Sequence, residues 1–413
     1  MHSAVSRSLK VFTTTLATAL LALSTPALAA AAPPPGPCAN RQAPPPAVDT
    51  SEKPAPGRAA PAPLGVPAVP VGGPRMAECG LVTPDGALNP PDGNTAASWV
   101  VQDLDTGAVV AAKDPHARQR PASLIKALLA MVVLTELNPE RVIVATQEDA
   151  EQECTCVGLV AGGRYTVDQL LHGMLMHSGN DAAHALATAL GGVDSTVTKM
   201  NATAARIGAL DTRAATPSGL DGPGMSTSAY DVSLIFHYAM KQPEFAKVIA
   251  TKNFEIPATG GKPVIPIYND NKLLGVYPGF LGGKTGFTND ARHTYIGAAQ
   301  RKGKRLAVVM LRAEQKPTRV VDQAAKLLDY GFALEDDRAE AVGQITYRSA
   351  TTPESGDSSV LADGGTGNSG TSSAAAPAKD DPFGVTGWII TLVVFLIIVG
   401  GFVVGHQRKK AAS

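Results

Sequence analysis

Ser123 and Lys126 are the first two residues in the chain whose types and spacing suit covalent chemistry. Lys126 is the only charged residue between Arg120 and Glu136, in an otherwise apolar segment. Burial disfavours the ammonium form of lysine and lowers its pKa, so that the neutral amine can act as a base. On a helix, a separation of three residues places the hydroxyl and the amine on one face. The pair therefore predicts a serine nucleophile with a lysine as its base.

The helix predicted around this pair gives a second reason to single out Ser123. We expect a buried helix from Ser123 to about Leu137, and the free N–H groups and positive dipole at its start would stabilise an oxyanion. In the alternative, Ser123 only caps the helix and Lys126 extends towards solvent. Because Ser-x-x-Lys is common by chance, the pair needs support from elsewhere in the chain.

A polar loop between two predicted helices supplies part of that support. Residues 177–181 read HSGND, so a hydroxyl at Ser178 and an amide at Asn180 follow each other in the order Ser-x-Asn. His177, Asp181 and His184 have a spacing that could suggest a metal-binding face. Gly179 interrupts the helix there, and we predict neither a metal site nor a cofactor.

Lys284 lies in the stretch GGKTGF, residues 282–287, which resembles the end of a nucleotide-binding phosphate loop. Such a loop needs a glycine where this chain has Pro278, and proline has no N–H group to donate to a phosphate. The residues after Lys284 also favour a strand over the helix that a phosphate loop must open. We therefore expect Lys284 and Thr285 on a strand whose glycines let a ligand approach the backbone closely.

The three motifs Ser-x-x-Lys, Ser-x-Asn and Lys-Thr-Gly occur in this order, beginning at Ser123, Ser178 and Lys284. Together they match the signature of serine β-lactamases and penicillin-binding proteins. The chain resembles the low-molecular-mass penicillin-binding proteins, the serine-type D-alanyl-D-alanine carboxypeptidases, and is most similar to membrane-anchored mycobacterial or other actinobacterial members. The resemblance also includes residues 120–122, 173–181, 217–222, 269–274 and 327–332.

The resemblance implies how an acyl-enzyme would form on a peptidoglycan stem peptide that ends in D-Ala-D-Ala. Ser123 would attack the carbonyl of the penultimate D-alanine while Lys126 takes its proton. Ser178 would pass a proton to the departing D-alanine. Asn180 would hold the substrate amide.

The resemblance also implies how the substrate is bound. Lys284 and Thr285, followed by Gly286, would bind the terminal carboxylate, and the N–H groups of Ser123 and Phe287 would form the oxyanion hole. β-Lactam antibiotics, which carry a carboxylate beside a strained amide, would acylate Ser123 and stay bound.

Two residues depart from the pattern of the relatives. Where they usually have Ala-Gly, this chain has Ala291 and Arg292, and we expect Arg292 to lie at the rim of the site. Arg319 is near the position of a second carboxylate-contacting arginine in related enzymes. We assign it no catalytic role.

Several alternatives use the same fold or the same residues. An efficient β-lactamase has a Ser-Asp-Asn loop followed by a glutamate-bearing segment, whereas here Gly179 is central and no Glu-x-x-x-Asn lies between Asn180 and Lys284. A DD-transpeptidase or endopeptidase stays open because its nucleophile set is identical. A non-catalytic β-lactam sensor would need a cytoplasmic output domain, and a wall-binding module would not need a buried Lys126.

The elements that position these residues follow the order strands, helices, strands, which predicts an α+β fold. The resemblance makes it β-lactamase/DD-peptidase-like, an antiparallel sheet flanked by helices with a mostly helical lobe. Predicted elements are a hairpin at 99–112, helices at 123–137, from Thr166 with a capping box, at 181–190 and from a Ser228 cap, and two strands within 282–311.

The ends of the chain predict a tethered exported domain. A basic start, an apolar run and Ala-Leu-Ala form an export signal, and a long apolar segment before basic residues predicts one membrane helix with the domain outside the cell membrane. The predicted organisation is signal peptide 1–29, Pro/Ala-rich spacer 30–95, catalytic domain 96–335, polar linker 336–384, C-terminal transmembrane helix 385–405 and basic cytoplasmic tail 406–413.

Cysteines and charge complete the predictions. Cys38 and Cys79 could form a disulfide across the spacer. Cys154 and Cys156 are expected to be too close for a relaxed disulfide and are interpreted as a surface pair without a role. The 36 basic residues balance 36 acidic ones, so no charge pattern favours nucleic acid.

Overall fold

The structure, a computed structural model, describes residues 38–259, 261 and 263–345. The predicted signal peptide, membrane helix and tail, and the linker beyond residue 345, lie outside the described residues. Among the helices of the described part, none is both long and apolar enough to cross a membrane.

An antiparallel seven-stranded sheet carries the domain. In the order of the sheet, its strands are β1 Leu81–Val82, β3 Ala108–Lys113, β2 Ser98–Asp103, β10 Lys304–Ala313, β9 Arg292–Arg301 and β8 Phe280–Thr288, and β11 Gly343–Gln344 also pairs with β3. The adjacent strands β2 and β10 come from opposite ends of the domain, so distant parts of the chain close the sheet, as predicted. Outside this sheet, two short antiparallel pairs join β4 Val142–Val144 to β5 Arg164–Thr166 and β6 Asn253–Ile256 to β7 Ile265–Tyr268.

Helices pack on both faces of the sheet. Because side chains alternate along a strand, Val100 enters one hydrophobic core, with α1 and α6, while Val101 enters a second core under α8. This confirms the α+β class. The helices are α1 Lys126–Glu136, α2 Gln147–Ala150, α3 Val167–Met176, α4 Asn180–Ala189, α5 Val193–Ile207, α6 Ala229–Ala239, α7 Pro243–Ala250 and α8 Val320–Asp336, with 3₁₀ turns at Pro74–Ala77 and Ala122–Ile125.

Helix starts with a side-chain cap were predictable from the sequence. Thr166 accepts a hydrogen bond from the N–H of Gln169 and the reciprocal bond completes a capping box at the start of α3. Ser228 likewise accepts from the N–H of Asp231 at the start of α6. The hairpin predicted at 99–112 is the β2-β3 pair.

The predicted strand count after Gly282 is wrong. Three strands, not two, contribute to the stretch up to Leu311, because β8 ends at Thr288 and the turn at 289–291 returns the chain as β9. The turn contains no glycine, which hid it from sequence inspection. Arg292 itself takes the left-handed conformation, with φ 56°, a region that favours glycine.

The described part of the predicted spacer, from Cys38, packs against the catalytic domain. It has little regular structure, but the buried guanidinium of Arg118 donates hydrogen bonds to the carbonyl oxygens of Gln42, Leu64 and Gly65. The hypothesis of a Cys38–Cys79 disulfide is confirmed. This segment is therefore bonded to the domain, whereas its Pro/Ala-rich composition predicts a spacer.

Candidate active site

The nucleophile candidate lies on the 3₁₀ turn that precedes α1. The prediction that the helix begins at Ser123 is wrong by one turn, since α1 itself begins at Lys126. The amine of Lys126 lies 2.9 Å from Ser123 Oγ, 2.7 Å from Asn180 Oδ1 and 2.6 Å from the carbonyl oxygen of Ser218. Lys126 is completely buried, and burial, followed by the positive charge of Lys284, holds its pKa well below the usual value. The geometry therefore provides Ser123 with an adjacent base.

Close backbone contacts hold this turn in place. Ala122 has a φ of 47°, and a Cβ on Gly219 would lie 2.1 Å from its carbonyl oxygen. A Cβ on Gly286 would lie 2.9 Å from the nitrogen of Ser123 and 2.5 Å from Thr294 Oγ1. Glycine at 219 and 286 is therefore required for a loop and strand β8 to approach the nucleophile from two sides.

The Ser-x-Asn loop connects α3 to α4. Ser178 has a φ of 64°, and its Oγ accepts a hydrogen bond from Lys284 Nζ at 2.9 Å. Asn180, the first residue of α4, is held by two bonds to a neighbouring loop: its N–H donates to Thr155 O at 2.7 Å and its Nδ2 donates to Glu153 O at 2.6 Å. Its Oδ1 is thereby aimed at Lys126.

The loop that holds Asn180 corrects the interpretation of the close cysteines. Cys154 and Cys156 form a disulfide with their Cα atoms 4.7 Å apart, which is within the range of ordinary disulfides. The prediction that the two cysteines are too close for a relaxed disulfide is therefore wrong, because the chain bends at Thr155 and brings them into this geometry. We call residues 153–156 the disulfide loop.

The lysine of the Lys-Thr-Gly motif is buried on β8. Lys284 is 2% exposed and lies 2.6 Å from the carbonyl oxygen of Thr285, as well as next to Ser178. Burial lowers its pKa to about 8, although the carboxylate of Asp270 acts in the opposite direction. At neutral pH this amine is mostly protonated, and a buried ammonium is a strong anchor for an anionic group.

Two recesses meet at Ser123, and Ser123, Thr155 and Phe287 line both of them. The first, of about 430 Å³, extends along Ser178, Thr285 and Gly286, and we call it the carboxylate recess. The second, of about 410 Å³, extends along Asn180 to the end of β8, and we call it the acyl recess. All eight predicted site residues belong to the recess walls or are bonded to them: Ser123, Lys126, Ser178, Asn180, Lys284, Thr285, Gly286 and Phe287.

Other predicted residues have peripheral places. Arg319 lines the outer part of the carboxylate recess, is 69% exposed and pairs with Asp322 through two hydrogen bonds. Arg292 lies outside both recesses, pairs with Glu314 and stands over the ring of Phe287 at 5.7 Å. The rim position expected for Arg292 fits these contacts.

The candidate metal face does not converge. Asp181 accepts hydrogen bonds from the N–H groups of residues 157–159, His184 pairs with Asp149 at 2.6 Å, and His177 faces Asp270 at 3.6 Å. The three side chains therefore face three different parts of the chain.

Several residues of the recess walls were not predicted from the sequence. Thr155 was hidden by the dismissal of the cysteine pair, whose spacing was the available signal. Ser218 supplies a backbone carbonyl to Lys126 and Asp221 lines the acyl recess; both lie in the motif 217–222, which had been noted without a role. Asp49 and Ser51 come from the predicted spacer and carry no motif.

Solved structures place this fold and site in a known class. A D-alanyl-D-alanine carboxypeptidase from Mycobacterium tuberculosis H37Rv matches with a TM-score of 0.60 and 48% identity, over 64% of this chain and 99% of that chain. The Streptomyces K15 DD-transpeptidase matches with a TM-score of 0.57 and 28% identity, over 60% and 100% of the two chains. The chain has the α+β fold of the β-lactamases and DD-peptidases.

Sequence comparison identifies the family. The family model described as D-alanyl-D-alanine carboxypeptidase matches residues 87–315. The curated D-alanyl-D-alanine carboxypeptidase DacB2 of M. tuberculosis is 50% identical over 258 residues, 61% of this chain and 87% of that protein. The chain belongs to the serine-type D-alanyl-D-alanine carboxypeptidase family of low-molecular-mass penicillin-binding proteins.

Proposed function

We propose that this hydrolase removes the terminal D-alanine from peptidoglycan stem peptides through an acyl-enzyme on Ser123. The observation that carries the proposal is the contact of Ser123 Oγ with the fully buried amine of Lys126, at the junction of two recesses. A buried neutral amine at hydrogen-bond distance is suited to remove the proton of the attacking hydroxyl.

Acylation begins with the terminal carboxylate of the substrate in the carboxylate recess, bound by Lys284 and the hydroxyl of Thr285. Ser123 Oγ attacks the carbonyl carbon of the penultimate D-alanine, and Lys126 accepts its proton. The N–H groups of Ser123 and Phe287 stabilise the oxyanion that forms. The C–N bond then breaks and D-alanine leaves as an amine.

Ser178 is the proton donor to that amine. Its Oγ lies 2.9 Å from Lys284 Nζ, so a proton that it gives up can be replaced from the protonated lysine. The proton held by Lys126 restores the charge of Lys284, so the neutral Lys126 amine can then take a proton from the water molecule that attacks the ester carbon. The bond to Ser123 Oγ breaks, Oγ receives that proton from Lys126, and the shortened peptide leaves as a carboxylic acid. A β-lactam enters the same sequence, but its acyl-enzyme persists because the leaving group remains attached and blocks the recess.

A DD-transpeptidase or endopeptidase activity is the second candidate. The site residues would be the same, and only the acceptor differs, an amine in place of water. The DD-transpeptidase of Streptomyces K15 shares the fold of this chain at 28% identity, which supports keeping this possibility in the test.

We also propose that the enzyme is exported and held in the cell membrane by one C-terminal helix, with its catalytic domain outside. The apolar run at 385–405 and the signal at 1–29 support this from sequence. Two disulfides in the described residues support an oxidising compartment. Extraction of membranes with alkaline carbonate should leave the chain in the pellet, and deletion of residues 385–413 should release it.

The test of the proposed function is D-alanine release by the full-length chain from Nα,Nε-diacetyl-L-Lys-D-Ala-D-Ala. We expect one D-alanine per peptide, inhibition by stoichiometric penicillin, and no covalent labelling of a folded Ser123→Ala variant. Penicillin labelling without D-alanine release, or release only when an acceptor amine is added, would favour a sensor or a transpeptidase. Labelling of Ser123→Ala would contradict the nucleophile assignment.

A further inference from the structure

The acyl recess is the part of the site whose ligand the proposed function does not yet specify. If Lys284 and Thr285 hold the terminal carboxylate, the rest of the peptide must leave Ser123 on the opposite side. That side is the acyl recess, where Asn180 and the end of β8 lie. The occupant of this recess is therefore the stem-peptide residue that precedes D-Ala-D-Ala. This step rests on the proposed function.

One wall of the acyl recess comes from the segment before the catalytic domain. Asp49 and Ser51 line it together with the nucleophile. We call residues 48–52 the N-terminal wall. Because the family model matches only residues 87–315, this wall is an addition to the part of the fold that defines the family.

The N-terminal wall is bonded firmly to the domain. The N–H of Val48 donates to Asp290 Oδ1 at 2.5 Å, and the hydroxyl of Ser51 donates to Asp290 Oδ2 at 3.3 Å. Glu52 forms a two-pronged ion pair with the buried guanidinium of Arg120, three residues before the nucleophile. These bonds fix the position of the N-terminal wall relative to the turn that carries Ser123.

The side chains of the acyl recess carry negative charge. Asp49 lies on the N-terminal wall, Asp221 on the loop after Gly219, and Glu153 on the disulfide loop, and no lysine, arginine or histidine is among the described residues that line the recess. Asp49 has Ser51 as its partner, and Asp221 accepts a hydrogen bond from Thr288 at 3.0 Å. Neither carboxylate is hydrogen-bonded to a cation in these contacts, and Arg120, whose charge acts on both, is paired with Glu52.

The environment of Asp221 also suits a cationic ligand. Burial raises its pKa to about 6 and the carboxylate of Asp290 acts in the same direction, while the hydrogen bond from Thr288 and the charge of Arg120 act against them. At neutral pH the group is mostly ionised at an energetic cost. An ammonium group in the recess would reduce this cost.

We propose that the N-terminal wall completes the stem-peptide subsite, and that Asp49, with Asp221 across the recess, makes the enzyme prefer peptides whose residue before D-Ala-D-Ala carries a free side-chain ammonium. The preference is a property of the acyl side and is separate from carboxylate binding. Asp49 and Asp221 are specificity residues in this proposal, since they face the substrate but not the reacting atoms.

The test compares two peptides that differ in one charge, Nα-acetyl-L-Lys-D-Ala-D-Ala and its Nα,Nε-diacetyl form, on the full-length chain. We expect kcat/KM to be about fivefold higher for the free amine, the size typical of a solvent-accessible ion pair. Asp49→Asn, which keeps the acceptor oxygen for Ser51, and Asp221→Asn should each bring this ratio towards one. Asp85→Asn, an exposed carboxylate in a different recess, is the matched control and should keep the ratio.

The outcomes separate this inference from the proposed function. A wild-type ratio near one, or a preserved preference in Asp49→Asn and Asp221→Asn together, would overturn the inference while D-alanine release still supports the function. Release from neither peptide by the wild-type chain would contradict the proposed function itself. High salt should lower the wild-type ratio and leave that of the double variant unchanged, which a merely structural effect of the substitutions would not produce.

Discussion

Two buried lysines share the site, and the proposed chemistry needs them in opposite charge states. Lys126 must be neutral to accept a proton, and Lys284 must be charged to bind a carboxylate. Burial lowers the pKa of both, but Lys126 also experiences the positive charge of Lys284, whereas Asp270 favours the charged form of Lys284. These causes place the loss of a proton from Lys126 before that from Lys284 as pH rises.

Replacement of the base tests its role directly. Lys126→Met keeps the volume of the side chain and removes the amine, so we expect acylation by penicillin to slow by about 10²- to 10⁴-fold, the usual contribution of a general base. The second-order rate constant with a fluorescent penicillin measures this, and circular dichroism checks the fold. Lys326→Met, at an exposed position of α8, should keep the wild-type rate. A rate in Lys126→Met equal to that of the control would exclude the lysine as the base.

The two charge states also predict the pH dependence of acylation. The rate constant should rise with pH while Lys126 loses its proton, and fall as pH passes about 8, where Lys284 loses its own. In Lys284→Arg the charge persists through this range, so the alkaline decrease should disappear if the variant folds. The same decrease in a folded Lys284→Arg variant would assign it to another group.

At the scale of elements, the site depends on tertiary contacts that periodicity does not encode. The apolar pattern after Ser123 predicted a helix correctly, but the same pattern fits a 3₁₀ turn, and the conformation of Ala122 is set by Gly219 and β8 from outside the segment. Seven of the eight site residues were recognisable because three short motifs fix their types and order, and the eighth, Phe287, directly follows the last motif. The walls of the two recesses were not recognisable from the sequence. Thr155, for example, contributes a backbone carbonyl oxygen at a bend of the chain, which any residue type could supply.

The disulfide loop is expected to position Asn180. Cys154→Ser with Cys156→Ser should loosen the carbonyl oxygens that hold the N–H and Nδ2 of Asn180, and acylation should slow by roughly tenfold, since small misplacements in an active site are costly. The matched control, Cys38→Ser with Cys79→Ser, removes a disulfide between cysteines that are 41 residues apart in the sequence. This control should lower the free energy of unfolding by about 2–4 kcal/mol and have little effect on the rate of penicillin acylation. Equal acylation rates in the two double variants would contradict the positioning role.

At the scale of the whole molecule, the catalytic domain is not independent of the chain before it. Pro/Ala-rich composition without periodicity predicted a spacer, because such a sequence cannot bury an apolar face. The described part of it is instead held by cations of the domain that bind its carbonyl oxygens and Glu52. Backbone carbonyl oxygens carry no sequence signal, so this packing could not be read from the segment. A clue lay in Arg118 and Arg120, a pair of arginines just before the nucleophile.

Arg118 is one of the buried residues that hold this segment on the domain. It is 1% exposed and donates to Asp211 at 3.0 Å as well as to the segment, so Arg118→Ala would leave a buried carboxylate with fewer partners. We expect the free energy of unfolding to fall by about 3–5 kcal/mol, while Arg206→Ala, at an exposed position of α5, should stay within about 0.5 kcal/mol. Denaturant unfolding measures both.

Limited proteolysis then distinguishes detachment of the segment from unfolding of the whole catalytic domain. If the segment is held mainly by Arg118, cleavage between residues 42 and 65 should precede unfolding of the catalytic domain in Arg118→Ala. The N-terminal wall would then be displaced, and the preference for a free side-chain ammonium should weaken in the folded fraction while penicillin still acylates Ser123. Unchanged proteolysis of the segment in this variant would mean that the Cys38–Cys79 disulfide and the Glu52–Arg120 pair hold it in place without Arg118.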